Sequence, residues 1–169
     1  CGIVGIYNSK RASFLTYLSL YSLQHRGQES CGIAVYDNEF KYYNSMGLVH
    51  ESFTRDILGK LNGRYAVGHV RYSTTGPSSI INSQPLVFNT KYGEFCVAHN
   101  GNIINSKELR EKISLAGSIF QTTTDSEIIA HLISRSKKTN FLEALIDGIV
   151  KLKGAFSFIF MYANKKKSQ

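Results

Sequence analysis

The first residue of the chain is a cysteine, Cys1. In that position the thiol lies beside the free α-amine, whose ordinary pKa is about 8. Such an amine can accept the thiol proton at neutral pH and later protonate a leaving amine, as in hydrolases with an N-terminal threonine. The apolar segment 2–6 has the character of a buried strand, which would hold the terminus in place. We therefore predict a nucleophile at Cys1; the alternative is a small hydrophobic residue that happens to come first.

An arginine ends a second apolar segment. Strand alternation places Val67, His69 and Arg71 on one face, and hydroxyl side chains follow two residues after Arg71. A guanidinium at a strand end can donate two parallel hydrogen bonds to a carboxylate, so this segment would suit a small acidic ligand. The alternative is a surface arginine beside a core histidine.

Two further segments carry polar groups that a site could use. Asn100 and Gly101 follow an apolar segment and either form a tight turn or direct a side-chain amide and a backbone N–H at a developing oxyanion. Asp125 lies in the polar segment 122–127, which is typical of a helix start. Its carboxylate either interacts with the helix dipole or binds a substrate ammonium.

The segment 23–32 is a polar loop with two glycines, which either caps a helix or forms the wall of a site. The histidines at positions 25, 69 and 99 lack the spacing of metal ligands. The chain also lacks a glycine-rich phosphate loop. The sequence therefore predicts neither a metal site nor a nucleotide site.

The elements that must position these residues follow strand and helix patterns. Strands are predicted at 2–7, 32–36, 40–45, 65–72, 94–99 and 155–162. A helix is predicted from Ala12 to Leu23, with a packing face that comprises Phe14, Leu15, Leu18 and Tyr21. Three more helices are predicted after capping pairs, which are Asn105 with Glu108, Thr124 with Glu127, and Asn140 with Glu143. This order predicts a layered α+β fold.

The composition limits the class of protein. The chain has 169 residues, of which 43% are hydrophobic, which is typical of one globular domain. Its 20 basic residues are mostly scattered among 12 acidic ones, so nucleic acid is not an expected partner. The longest apolar run is far shorter than the ~18 residues of a membrane span, and the N-terminus lacks a signal peptide's basic region. We expect no membrane partner, a cytoplasmic location and, with 3 cysteines, reduced thiols.

Six segments, in this order, resemble the class II glutamine amidotransferases. They are CGIVGI at 1–6, LQHRGQE at 23–29, GHVRYST at 68–74, SQP at 83–85, HNGN at 99–102 and TDSE at 124–127. The loops at 23–29 and 68–74 most resemble the branch whose glutaminase domain supplies a phosphoribosyltransferase domain in the first committed step of purine biosynthesis. They differ from the loops of glucosamine-6-phosphate synthase.

The resemblance implies the N-terminal-nucleophile (Ntn) hydrolase fold, an α+β, four-layer αββα sandwich with two antiparallel sheets. It also implies hydrolysis of L-glutamine to glutamate and ammonia. Cys1 would attack the side-chain amide and form a thioester, while its own amine moves the proton. Asn100 and Gly101 would hold the oxyanion.

The resemblance assigns the remaining site residues to substrate binding and loop support. Arg71, with support around Thr74, would bind the substrate α-carboxylate, and Asp125 would bind its α-ammonium. The neighbouring residues Arg26 and Gly27 would order the loop over the thiol. Tyr72 would belong to the loop that closes on bound glutamine.

One departure from the family's pattern concerns the second domain. Residues 1–169 are expected to form the glutaminase domain, and nothing in them resembles a phosphoribosyltransferase loop for phosphoribosyl pyrophosphate and magnesium. We therefore expect no cofactor in this chain, and an expected partner is a phosphoribosyltransferase domain or subunit. The full-length enzyme is expected to be a homo-oligomer. Because the sequence stops just after a strand, the last elements of the sandwich are expected to be missing.

Two alternative functions stay open at this point. The chain could be a non-catalytic glutamine-binding or scaffold subunit that keeps the fold. It could instead be the glutaminase module of another amidotransferase, such as glucosamine-6-phosphate synthase. Retention of the nucleophile together with the predicted binding residues favours an enzyme.

Overall fold

The computed structural model describes residues 1–72 and 78–164, so Thr74 lies outside the described residues. The strands are β1 (Gly2–Ile6), β2 (Ser30–Tyr36), β3 (Phe40–Met46), β4 (Tyr65–Arg71), β5 (Leu86–Thr90), β6 (Gly93–Ile103) and β7 (Gly154–Ala163). The helices are α1 (Ala12–Ser22), α2 (Val49–Ser52), α3 (Arg55–Lys60), α4 (Ser106–Leu115), α5 (Glu127–Arg135) and α6 (Phe141–Ile149). Short 3-10 turns lie at Gln24–Arg26 and Ile80–Asn82. No helix in this described part is long and apolar enough to cross a membrane.

The strands form two antiparallel sheets. The first has the order β1-β4-β2-β3 and the second has the order β5-β6-β7. In the first sheet, Gly2 lies opposite Val70, and this register brings Cys1 to the end of β4. The register therefore places the predicted nucleophile beside the predicted arginine, Arg71.

Three apolar clusters hold four layers together. One cluster lies between the first sheet and α1 to α3, and another lies between the second sheet and α4 to α6. The third lies between the two sheets and is built on small buried residues, including Ala34 and Ala98, with Ile159 packed against them. The layer order is thus helix, sheet, sheet, helix, which confirms the expected αββα sandwich.

The predicted packing face of α1 is wrong. Ala12, Thr16 and Leu20 are buried against the sheet, whereas Phe14 and Leu18 are exposed. The helix is apolar over most of its circumference, so periodicity alone could not identify the buried face. The small side chains at 12 and 16 let the helix lie close to β4, which is why that face packs inward.

The capping predictions were correct for one helix of three. Asn140 accepts a hydrogen bond from the N–H of Glu143 at 2.9 Å and caps α6. The side chain of Asn105 instead binds the backbone of the segment 151–153, and so joins α4 to the start of β7. Thr124 does not cap α5, because that helix begins three residues later.

Candidate active site

The Cys1 thiol and amine are held by the backbone on both sides. The amine donates to the carbonyl of Arg26 at 2.8 Å. The carbonyl of Tyr72 lies 3.4 Å from Sγ and can accept the thiol proton, and the N–H of Tyr72 lies 3.4 Å from Sγ and can donate to a thiolate. The surroundings therefore suit both protonation states of the nucleophile.

Burial lowers the pKa of the Cys1 amine below its ordinary value, and the positive charge of Arg26 lowers it further. A lower pKa leaves more of the amine neutral at neutral pH. Only the neutral amine can accept a proton, so the environment favours its action as a base.

Close backbone packing brings the loop that carries Arg26 onto the end of β4. Gly27 lies against Arg71, and a Cβ at Gly27 would lie 2.5 Å from the Arg71 carbonyl carbon. The N–H of Glu29 donates to the same Arg71 carbonyl at 3.1 Å. The loop of Arg26 and Gly27 thus contacts both the Cys1 amine and the end of β4, and its role in support of the site stays a prediction.

Asn100 and Gly101 do not form a turn. They continue β6, opposite Ser157 and Phe156 of β7. Gly101 has a φ of +142°, and a Cβ there would lie 2.3 Å from a carbonyl oxygen of β7. The conformation and the close approach both require glycine.

The alternation of β6 places the Gly101 N–H at the candidate site. The N–H of His99 donates to Oε1 of Gln84, and the N–H of Ile103 donates to Oδ2 of Asp125. Because alternate N–H groups of a strand point to the same side, the Gly101 N–H points in the same direction as these two. It is therefore directed towards the cavity that Cys1 also lines.

Arg71 is buried, and its guanidinium donates to the carboxylate of Glu29. This pair crosses 42 residues of sequence and joins the polar loop to β4. An Arg71 that bound a substrate carboxylate would share its fork of donors between that group and Glu29. The sequence did not predict this pairing of Glu29 with Arg71, although Glu29 lies in the LQHRGQE segment at 23–29.

Asp125 lies at the same cavity with its carboxylate fixed from two sides. Oδ2 accepts from the Ile103 N–H at 3.0 Å, and Oδ1 lies 3.4 Å from the Ser126 hydroxyl and 3.6 Å from Nδ1 of His99. Burial by itself would raise the pKa of Asp125, but the nearby His99 ring and the hydrogen bond from the Ile103 N–H outweigh it and lower the pKa. Asp125 is therefore a carboxylate at neutral pH, as binding of an ammonium requires.

The loop before Asp125 is held by two charged side chains. Glu127 accepts from the N–H groups of Gln121 and Thr122 at 2.8 and 2.7 Å. Arg110 donates to the carbonyls of Thr122 and Thr124 and lies 4.0 Å from the ring centroid of Phe120. These contacts fix the backbone that presents Asp125.

One cavity brings most of the predicted site residues together. Its walls include Cys1, Arg71, Tyr72, Gly101 and Asp125, and also Gln84, His99, Thr124 and Ser126. Asn100 precedes the cavity-lining Gly101 on β6. Arg26 contacts the Cys1 amine through its carbonyl, and Gly27 packs against Arg71. Gln84, His99 and Ser126 were not predicted as site residues; the motifs that contain them gave the only sequence signal.

Three other histidine and cysteine side chains are unsuited to the chemistry. Burial lowers the pKa of His69 to about 3 and raises that of Cys96 to about 12. Burial also raises the pKa of Cys31. Across residues 1–72 and 78–164, no group of three or more histidine, cysteine or acidic side chains is arranged to hold a metal ion.

Comparison with known proteins assigns this geometry to a family. Residues 69–169 match the family model described as the glutamine amidotransferase domain. This segment is more than half of the chain, and the chain belongs to the glutamine amidotransferase domain family.

The most informative relatives are amidophosphoribosyltransferases. The chloroplastic enzyme of Vigna aconitifolia is 49% identical over 166 residues, which are 98% of this chain and 34% of the relative. The amidophosphoribosyltransferase of Staphylococcus aureus strain MRSA252 is 45% identical over 163 residues, which are 95% of this chain and 33% of the relative. The chain therefore spans about a third of the length of these relatives.

Solved structures agree with this similarity. Glutamine phosphoribosylpyrophosphate amidotransferase from B. subtilis, in complex with ADP and GMP, matches 96% of this chain and 35% of its own at 41% identity, with a TM-score of 0.89. The structure of an allosteric regulatory enzyme of purine biosynthesis matches 95% of this chain and 35% of its own, also at 41% identity, with a TM-score of 0.91. The expected Ntn-hydrolase glutaminase fold, with its likeness to amidophosphoribosyltransferase, is confirmed.

Proposed function

We propose that this chain hydrolyses L-glutamine to glutamate and ammonia through a thioester on Cys1. The observation that carries the proposal is one cavity lined by a thiol beside its own amine, by Gly101, whose N–H is directed towards it, and by an ionised carboxylate, Asp125. These are the groups needed to attack an amide, stabilise its oxyanion and bind an amino-acid ammonium.

The reaction divides into two halves. In the first half, the Cys1 amine takes the thiol proton, Sγ bonds to the side-chain carbonyl carbon, and Gly101 with Asn100 stabilises the oxyanion. The amine then returns the proton to the departing nitrogen, the C–N bond breaks, and ammonia leaves a glutamyl thioester. In the second half, water gives a proton to the amine and its oxygen attacks the thioester, which releases glutamate and restores the thiol.

The substrate's amino-acid end would be bound on the other side of the cavity. Asp125 receives the α-ammonium, and Arg71, supported by Glu29 and by the residues around Thr74, receives the α-carboxylate. Tyr72 would belong to the loop that closes on bound glutamine; the support is that its backbone contacts Sγ while its side chain is 65% exposed.

The ammonia would pass to a phosphoribosyltransferase domain or subunit, which forms 5-phosphoribosylamine in the first committed step of de novo purine biosynthesis. The support is the likeness to amidophosphoribosyltransferases over nearly all of this chain, which is about a third of their length. Phosphoribosyl pyrophosphate and magnesium would bind to that second unit. The complete enzyme would be a homo-oligomer, in the cytoplasm if its source is bacterial and in the chloroplast if it is a plant.

Ammonia release from L-glutamine tests the hydrolytic function. The 169-residue protein, with a free Cys1 verified by intact mass, should release ammonia, and Cys1→Ala should not. A matched control is Cys96→Ala, which removes a buried thiol without a proposed role. Hydrolysis by a folded Cys1→Ala protein would exclude the thioester mechanism. No release by the folded parent would favour the alternative of a glutamine-binding subunit.

A further inference from the structure

In the wall of the same cavity, three buried polar side chains form a connected group that ends at Asp125. They are Gln84, His99 and Ser126, with exposed fractions of 4%, 3% and 1%. None of them has a role in the two half-reactions above. Buried polar groups are costly unless they are paired, so their arrangement calls for a function.

Hydrogen bonding at Ser126 assigns a donor and an acceptor to each contact. Nε2 of Gln84 can only donate, and it lies 3.1 Å from the Ser126 oxygen. An ionised Asp125 can only accept, and the Ser126 hydroxyl donates to its Oδ1 at 3.4 Å. The remaining lone pair of Ser126 then accepts from Nδ1 of His99 at 2.9 Å. His99 must therefore carry its proton on Nδ1.

The other contacts of His99 and Gln84 fix this arrangement. The His99 ring stacks on Phe158, with centroids 4.6 Å apart and planes inclined by 24°. Oε1 of Gln84 accepts from the His99 N–H at 2.8 Å, which settles the orientation of the Gln84 amide. The His99 ring and the Gln84 amide thus hold the Ser126 hydroxyl, and that hydroxyl holds the Asp125 carboxylate.

We propose that His99, acting with Gln84 through the Ser126 hydroxyl, is a positioning residue for the Asp125 carboxylate. Ser126 fixes Oδ1 while the backbone of β6 fixes Oδ2, so the carboxylate presents its remaining lone pairs to the cavity in one orientation. The inference rests on the proposed function, in which Asp125 binds the substrate α-ammonium. In the proposed reaction, none of the three side chains forms or breaks a bond.

The kinetic test compares Ser126→Ala with the double variant Ser126→Ala/Asp125→Asn. Ser126→Ala should lower kcat/KM for glutamine about ten-fold, mainly through KM, because a misplaced carboxylate weakens ammonium binding. It should have no further effect when Asp125 is already Asn, since it acts through that side chain. Ser136→Ala, which changes a buried serine at the other end of α5, is the control and should leave the kinetics unchanged.

A second substrate separates positioning from a general loss of structure. Glutaramate is glutamine without its α-ammonium, so Ser126→Ala should leave its hydrolysis unchanged. An equal loss with both substrates, or an additive effect in the double variant, would overturn the positioning role.

The tautomer of His99 provides a measurement that does not depend on turnover. Long-range proton–nitrogen NMR spectra of the parent should show the proton on Nδ1 of His99, and His99→Phe should identify the signal. A proton on Nε2 would overturn the network itself. An Nδ1 proton in a protein that neither hydrolyses nor binds glutamine would instead refute the proposed function, and the ammonium-positioning role would fall with it.

Discussion

At the residue scale, the proposed chemistry depends on one nitrogen atom that has two roles. The Cys1 amine donates to the Arg26 carbonyl, which positions it, and it must also lose a proton to act as a base. Burial and the charge of Arg26 make that loss easier by lowering the pKa of the amine. The group that anchors the terminus is therefore also the group that the reaction needs.

The pH dependence of kcat/KM should report this amine. Activity should fall as the pH is lowered through the pKa of the amine, because the protonated form cannot accept the thiol proton. The midpoint should lie below the ordinary value of about 8. Arg26→Gln removes a positive charge and should move the midpoint to higher pH, whereas Arg11→Gln, at an exposed and distant arginine, should not. An unchanged midpoint in Arg26→Gln would contradict the assignment.

At the element scale, the site is made where strand ends meet loops from the other parts of the chain. β1 and β4 bring Cys1 to Arg71, β6 supplies Gly101, and the loop before α5 supplies Asp125. Contacts of Glu127 fix the start of α5, and contacts of Gly27 fix the loop on the end of β4. The substitutions Glu127→Gln and Gly27→Ala test these two sets of contacts.

Glu127 should stabilise the start of α5 in a pH-dependent way. Burial acts to raise its pKa, but hydrogen bonds from His131 and from the 121–122 segment lower the pKa to about 2. Glu127→Gln should cost roughly 2 kcal/mol of unfolding free energy at pH 7. Because the pKa of Glu127 is lower in the folded state, the stability difference between the parent and Glu127→Gln is fully present above the unfolded-state pKa of 4.5. The difference should be lost as the pH falls from 4.5 to about 2.

Chemical denaturation at pH 7 and pH 3 measures this difference. Glu111→Gln is a matched control because Glu111 lies exposed on α4. A cost for Glu127→Gln that stays constant as the pH falls would show that charge is not its source.

Gly27→Ala should separate the loop from the end of β4. The added carbon would lie 2.5 Å from the Arg71 backbone, so the loop must move and the Arg26 carbonyl must move with it. We expect kcat/KM for glutamine to fall at least about ten-fold, as displacement of a positioned group by about 1 Å does in other enzymes. Gly59→Ala, where a Cβ meets no atom within 4 Å, should keep full activity.

Sequence patterns predicted the strands and helices that frame the site better than the contacts between them. The N-terminal strand, β4 and α5 follow from local periodicity and from motifs. The exposed face of α1 and the pairing of Arg71 with Glu29 do not, because both depend on which distant segments pack together. The short elements β5, α2 and α3 were not predicted at all, since runs of four to six residues carry too little periodicity.

At the scale of the whole molecule, β7 is an edge strand of the second sheet among the described residues. Within the described residues, β7 pairs with β6 on one side only, and it is 10 residues long with apolar side chains on both faces. A cleft of about 660 Å³ next to it lies between the sheets and is lined by Gly5, Tyr7, Tyr65, Ile159 and other residues. Long apolar edge strands promote association between chains.

The isolated chain should therefore self-associate as its concentration rises. Ala155→Lys places a charge at the exposed start of β7 and should reduce association. Asn38→Lys adds the same charge in an exposed turn between β2 and β3 and should have little effect. Sedimentation velocity over a range of concentrations distinguishes them, and a parent that stays monomeric at high concentration would refute the prediction.

The hydrogen bond between the Cys1 amine and Arg26 also bears on how the protein has to be made. Any residue joined to that nitrogen converts a base into an amide, which is not basic and occupies the space beside the thiol. A polypeptide with an uncleaved initiator methionine or an N-terminal affinity tag would fold into the same sandwich and have no activity. The proposed mechanism thus requires a Cys1 amine that carries no added residue, and purification tags belong at the other end of the chain.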